Sequence, residues 1–187
     1  MSRRRVPSEG TVTVAFPAAV GRERHAMARF EDDPLIAGLV ELGDQLPFNR
    51  HLGVEVVALE AGRCTTRLRA DDRLANHLGG VHAIAELAPV ELAGAMAAST
   101  RLRGLLERGY VPVVRDLSAR YEAAATGELT ATATVPEGVE EAVEEALAAG
   151  YRPRAIADVE VTDAQGTLVA TAQLTFVYLE VAGNDPS

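Results

Sequence analysis

Residues 76–95, NHLGGVHAIAELAPVELAGA, carry one asparagine, two histidines, two glutamates and a proline on a stretch that is otherwise glycine or apolar. An apolar helix gains no packing from such residues. A carboxylate among apolar neighbours has its pKa pushed up, which suits it to acid–base work. Glu91, between Val90 and the pair Leu92 and Ala93, is the candidate, either to attack a substrate or to activate water. The start of the helix near Val81, His82 and Ala83 offers the complementary group, because the first backbone N–H groups of a helix are free and point along a favourable dipole. Gly79 and Gly80, just ahead, let another backbone or a ligand come close.

The spacing limits how these groups combine. Nine residues separate His82 from Glu91, which puts them on roughly opposite faces and about 13 Å apart along one straight helix. They cannot form one site within a single chain, whereas a dimer can bring Glu91 of one copy to the Ala83 turn of the other. Glu86 follows His82 by four residues on the same face, so it is expected at a polar edge or paired with His82, with lining of a pocket as the lesser alternative, and His82 is expected to cap the helix or pair with Glu86. Asn76 is read either as a loop residue bonded to nearby backbone or as a group that orients substrate. His25, His51 and His77 stand alone, and no His/Cys/Asp spacing predicts a metal.

The elements that must position these residues follow from periodicity. Residues 11–16 alternate as a short strand does, and residues 20–30 suit a short helix. Pro34 opens a helix with Leu35, Leu39, Val40 and Leu42 on its face, which Pro47 is expected to end. Two β-rich runs flank Ala61 and Gly62 as a hairpin, with Cys64, Thr66, Leu68 and Ala70 on one face and Thr65, Arg67 and Arg69 on the other. Residues 71–80 read as loop, and residues 81–106 as one long helix, apolar almost all round and so destined for a core. Two strand runs joined across ATGE follow. Then comes an amphipathic helix with Val139, Ala142, Val143, Ala146 and Leu147 on its stripe and Gly150 as its stop. A last hairpin is joined by AQG. This order lacks the βαβ alternation of a doubly wound sheet. It predicts an α+β domain in which a curved antiparallel sheet, its strands joined by hairpins, wraps around the long helix.

Bulk composition agrees with one domain. With 187 residues, 48% of them hydrophobic, the chain can bury a full core. Aromatics are scarce, so that core is built from Ala, Val and Leu. A net charge of −9 disfavours nucleic acid and anionic membranes as partners, and Arg3 to Arg5 read as a solvated terminus. No apolar run is long enough for a membrane span, and no signal-peptide core follows the arginines. The single Cys64 cannot form an internal disulfide, so a reducing, cytoplasmic setting is expected.

The pattern of Asn76, His82-Ala83 and Glu91, N-x5-H-x8-E, resembles that of hotdog-fold acyl-CoA thioesterases of the phenylacetate and hydroxybenzoyl-CoA types. It is most similar to an uncharacterised branch with the motif N-H-x-G-x-V-H-A-I-A followed by a glutamate. The flanks LPFNRHLGVEV, LSARYEAAATGELTATA and VEVTDAQGTLVATA agree, so the resemblance covers roughly residues 35–180. It implies a hotdog fold over residues 35–182, after an N-terminal extension over 1–34 and before a frayed tail over 183–187. It implies thioester hydrolysis at a site shared across a homodimer, with a dimer of dimers as the larger assembly. Glu91 and Asn76 would be catalytic. Ala83 would supply the oxyanion N–H, with His82 and Gly80 around the substrate. No separate cofactor is implied, coenzyme A being part of the substrate. The chain departs from the pattern at Ile84, where a glycine is common, at Pro89, and at Val114, where some relatives place a hydroxyl. Two further readings stay open. One is a non-catalytic acyl- or CoA-binding hotdog dimer. The other is a hotdog enoyl-CoA hydratase using Asp72 and His77, though the usual Asn-Pro between them is missing.

Overall fold

The computed structural model describes residues 33–181. The strand and helix expected over residues 11–16 and 20–30, and the tail from 183, lie outside the described residues. The elements are α1 (Pro34–Gln45), α2 (Pro47–Leu52), β1 (Val54–Glu60), β2 (Arg63–Leu68), a 3₁₀ turn (Asp72–Leu74), α3 (Ala83–Arg101), α4 (Arg103–Glu107), β3 (Tyr110–Tyr121), β4 (Leu129–Thr134), α5 (Val139–Ala148), β5 (Arg154–Asp163) and β6 (Leu168–Glu180).

Among the described residues six strands form one antiparallel sheet in the order β1-β2-β4-β5-β6-β3. Every second residue faces inward: Cys64, Thr66 and Leu68 on β2; Leu129, Ala131 and Ala133 on β4; Ala155, Ala157, Val159 and Val161 on β5; Leu174, Phe176 and Tyr178 on β6. Helix α3 packs against all six strands. This is the hotdog fold. The helix is rich in Ala, with Gly94 among them, because the sheet comes close to it. A Cβ placed on Gly94 would lie 3.2 Å from the ring of Phe176, tighter than ordinary packing. The β1–β2 hairpin turns at Ala61-Gly62, with Gly62 at φ +75, and the Cys64/Thr66/Leu68 face is the buried one, as their alternation predicts.

Several expectations are extended or corrected. Pro47 ends α1 and also begins α2, for which it is the first residue. Leu46 ahead of it is forced out of helical geometry, and Gly53 in the left-handed region closes the short helix. The helix expected over 81–106 is shorter. It starts at Ala83 and stops at Arg101, with Leu102 off helical geometry before α4. The cause at this end is Thr100. Its hydroxyl lies within hydrogen-bond distance of the carbonyls of Met96, Ala97 and Glu60 and accepts from the Gly62 amide, tying the last turn to the β1–β2 hairpin. Finally, β3 and β4 follow one another without forming a hairpin. β3 pairs along its length with β6, and β4 lies between β2 and β5. Their connection crosses beneath the start of α3, where the carbonyl of buried Ala125 accepts from the Val81 amide at 2.8 Å. On α5, Val143 is buried and Val139 and Leu147 pack on the core, but Ala142 is exposed.

Candidate functional site

The turn before α3 is built by Asn76. Its Oδ1 accepts from the amides of Leu78 (2.8 Å) and Gly80 (3.1 Å), and its Nδ2 donates to the Val81 carbonyl at 2.9 Å. The Asn76 amide in turn donates to the Gly80 carbonyl at 2.7 Å, and Ala75 bridges Val81. Gly79 takes φ +81, which a side chain disfavours. Gly80 faces Ala125, whose carbonyl oxygen would lie 2.9 Å from an added Cβ. One Nδ2 proton of Asn76 remains for another partner.

His82 ends the turn in extended geometry and caps α3. Its Nδ1 accepts from the Ile84 amide at 3.1 Å, while its own amide donates to the Leu74 carbonyl at 2.7 Å. Ala83 is the first helical residue. Among the described residues its amide meets no acceptor, so it is a fixed donor at the positive end of the helix. Its carbonyl accepts from the hydroxyl of Tyr121, at the end of β3, at 2.8 Å. Asn76, Gly80, His82 and Ala83 therefore gather in one turn.

Glu91 does not join them on the same chain. It lies eight residues beyond Ala83, about 12 Å along the axis. It is half-buried, and burial raises its carboxyl pKa above the ordinary value. Helix α3 runs through Pro89, which is fully buried. The hydroxyl of Thr66, on β2, donates to the Pro89 carbonyl at 2.8 Å and anchors this part of the helix to the sheet. Thr66→Val keeps the shape and removes this tether, leaving the Pro89 carbonyl its helical partner, the Ala93 amide. It is expected to cost about 0.5–1.5 kcal/mol of stability, read as a shift in the urea unfolding midpoint. An unmoved midpoint would mean the tether adds nothing to stability.

Glu86 departs from its expected place. Rather than lying at a polar edge or pairing with His82, it is 4% exposed, and its Oε2 is fully enclosed without a hydrogen-bond partner among the described residues. Burial alone pushes its pKa up to about 7. Tyr121 is held above the ordinary range by its own burial and then by the charge of Glu86. The sequence signal was available: Glu86 sits among Ala85, Leu87 and Ala88 much as Glu91 sits among its apolar neighbours. Nothing in the sequence marks Tyr121, because the fold brings β3 back to the start of α3. Asp72 and His77 are both exposed.

A curved antiparallel sheet around one apolar helix, with a structured turn at the helix start, defines a hotdog-fold protein. The chain belongs to the family described as a domain of unknown function, DUF4442, whose profile matches residues 40–178. No curated protein matches it. Among solved structures it is similar to a probable thioesterase of Pseudomonas aeruginosa, at 20% identity and TM-score 0.65 over 75% of this chain and 92% of that one. A thioesterase of Haemophilus influenzae aligns at 21% identity and TM-score 0.62, over 80% and 93% of the two chains. The PaaI protein from the phenylacetic acid degradation operon of Escherichia coli aligns at 15% identity and TM-score 0.60, over 76% and 91%. At these identities the likeness establishes the shared fold. Among the described residues no helix is long and apolar enough to cross a membrane.

Proposed function

We propose that the protein is an acyl-CoA thioesterase whose site is completed across a homodimer. The observation that carries this reading is the Ala83 amide: an unpartnered donor, rigidly held by the Asn76 turn and the His82 cap, where a carbonyl oxygen becoming an oxyanion would be stabilised. Glu91 of the partner subunit takes a proton from water. The hydroxide adds to the thioester carbonyl carbon, and the carbonyl electron pair moves onto oxygen facing Ala83. The intermediate collapses, the C–S bond breaks, and the thiolate leaves and takes up a proton, giving the acid and coenzyme A. Asn76 offers its remaining amide proton to water or substrate. Gly80, whose amide is bound by Asn76, contributes by letting the Ala125 carbonyl pack against the turn, and His82 by fixing the turn.

Dimerisation has a surface to use. Among the described residues β3 is a long edge strand that pairs on one side only, and a long free edge is a template for another chain. Beside it, Val113, Leu117, Tyr121, Ile84 and Leu78 leave large apolar surface exposed. The names of the structurally similar thioesterases support the same chemistry.

The test is thiol release from short, long and aryl acyl-CoAs, together with the mass in solution. A dimer that releases thiol from at least one class is expected. Acyl-CoA binding with no release from any would replace this reading with a non-catalytic acyl-CoA-binding dimer.

A further inference from the structure

Within one chain, the carboxyl beside the Ala83 turn is that of Glu86, not Glu91. Glu86 follows Ala83 by three residues, so the two share a face and lie about 4.5 Å apart along the axis. Helical side chains lean toward the N-terminus, which carries the Glu86 carboxyl back over the turn of Ala83. Tyr121 reaches this turn from β3, its hydroxyl donating to the Ala83 carbonyl, and the charge of Glu86 adds to burial in raising its pKa. An enclosed carboxyl oxygen with no partner is costly to keep. A substrate oxygen arriving at the Ala83 amide would give this carboxyl a partner.

We propose that Glu86, in its protonated form, is a second hydrogen-bond donor to the thioester carbonyl oxygen, beside the Ala83 amide. The inference rests on the thioesterase reading of the turn. Two donors converging on one oxygen stabilise an oxyanion more than one, and a carboxylic acid kept neutral by burial can serve as such a donor. The two glutamates then divide the work by protonation state, Glu86 neutral as donor and Glu91 of the partner subunit ionised as base. Bringing a second carboxylate near Glu86 in the dimer favours its neutral form further.

The groups facing Glu86 make the pH dependence specific. Tyr121 on β3 is neutral throughout the neutral range and is pushed further up. His82, on the same helix, has its Nδ1 committed to the Ile84 amide. Burial is the sole cause of the shift of Glu86, with no charged side chain contributing. Because burial pushes its pKa up from the ordinary carboxylate range to about 7, the fold is expected to lose stability as pH rises through that window. Any buried glutamate would do the same, so the decisive readout involves ligand.

The probe is a ketone analogue of an acyl-CoA, with a methylene in place of the thioester sulfur, which presents the carbonyl oxygen and cannot be hydrolysed. Its Kd on the wild-type dimer is expected to rise about 10-fold between pH 6.5 and 8.5 as Glu86 ionises. Glu86→Gln, which donates at every pH, should bind without that change. It should also hydrolyse acyl-CoA about 10-fold faster than wild type at pH 8.5. Wild-type binding that ignores pH overturns the proposal, and so does a pH dependence that survives Glu86→Gln. Ketone binding with the expected pH dependence but no thioester hydrolysis keeps the donor and removes the hydrolase reading. No ketone binding at any pH overturns both.

Discussion

Glu91→Gln is expected to lower kcat for the best acyl-CoA by about 10²- to 10⁴-fold, the usual contribution of a positioned base or nucleophile. The substitution keeps size and shape and removes only the ionisable oxygen. KM should change little, because the carboxylate acts on the attacking water more than on bound substrate, so kcat and kcat/KM fall together. Burial raises the Glu91 pKa, and the base is competent only when ionised, so wild-type activity should climb with pH on the acid side. Glu86, which must stay protonated, bounds the alkaline side. Glu91→Gln should abolish the acid limb along with most of the rate. Stability works in the opposite direction: a carboxyl raised by burial destabilises the fold once ionised, so the variant should melt no lower than wild type near neutral pH. Steady-state thiol release across pH, beside a thermal melt, checks both. A variant with wild-type kcat would remove Glu91 from the chemistry.

The parts legible in the sequence are those set by local periodicity. The alternation of Cys64, Thr66 and Leu68 names the inner face of β2, and a helix apolar on all sides can only be the one the sheet surrounds. Alternation says which face is buried but nothing about which strand lies alongside. That is why the chain order from β3 to β4 suggests a hairpin, whereas β3 pairs with β6. Pro47 shows a second limit: a proline stops one helix and equally starts another, and only the left-handed Gly53 reveals that the second helix is complete. The break after Arg101 depends on Thr100 reaching the β1–β2 hairpin, a contact between residues about 40 apart.

The site divides along the same line. Asn76, Gly80, His82 and Ala83 are neighbours in sequence, and their turn is recognisable from glycines and a capping residue. Glu86 and Tyr121 are neighbours only in space. The four-residue spacing from His82 suggests a surface pair, but the curved sheet encloses this part of α3 and shuts Glu86 in. The same enclosure holds Glu91 half-buried a helical turn further on. Burial therefore distinguishes two glutamates that look alike in sequence, Glu86 being the more enclosed and the one whose pKa is pushed up to about 7.

Ala83→Pro should remove the oxyanion donor while sparing the fold. Proline is favoured at the first position of a helix, where its missing N–H would have no helical partner. His82 already has φ −68 and ψ 133, the extended geometry that a residue before proline needs. The Ala83 amide makes no hydrogen bond among the described residues, so stability should hold to within a few tenths of a kcal/mol. Loss of one oxyanion donor is expected to lower kcat by about 10²- to 10³-fold. Because Ala83 and Glu91 are proposed to act across the dimer, the two defects can be combined to test the geometry. A heterodimer of one Ala83→Pro chain and one Glu91→Gln chain, purified by two different tags, holds one site in which both groups are intact and one in which neither is. It should recover about half the wild-type rate per dimer, as two-fold symmetry requires. If donor and base instead came from the same chain, every site in the heterodimer would lack one of them, and the rate would stay at the level of the single variants.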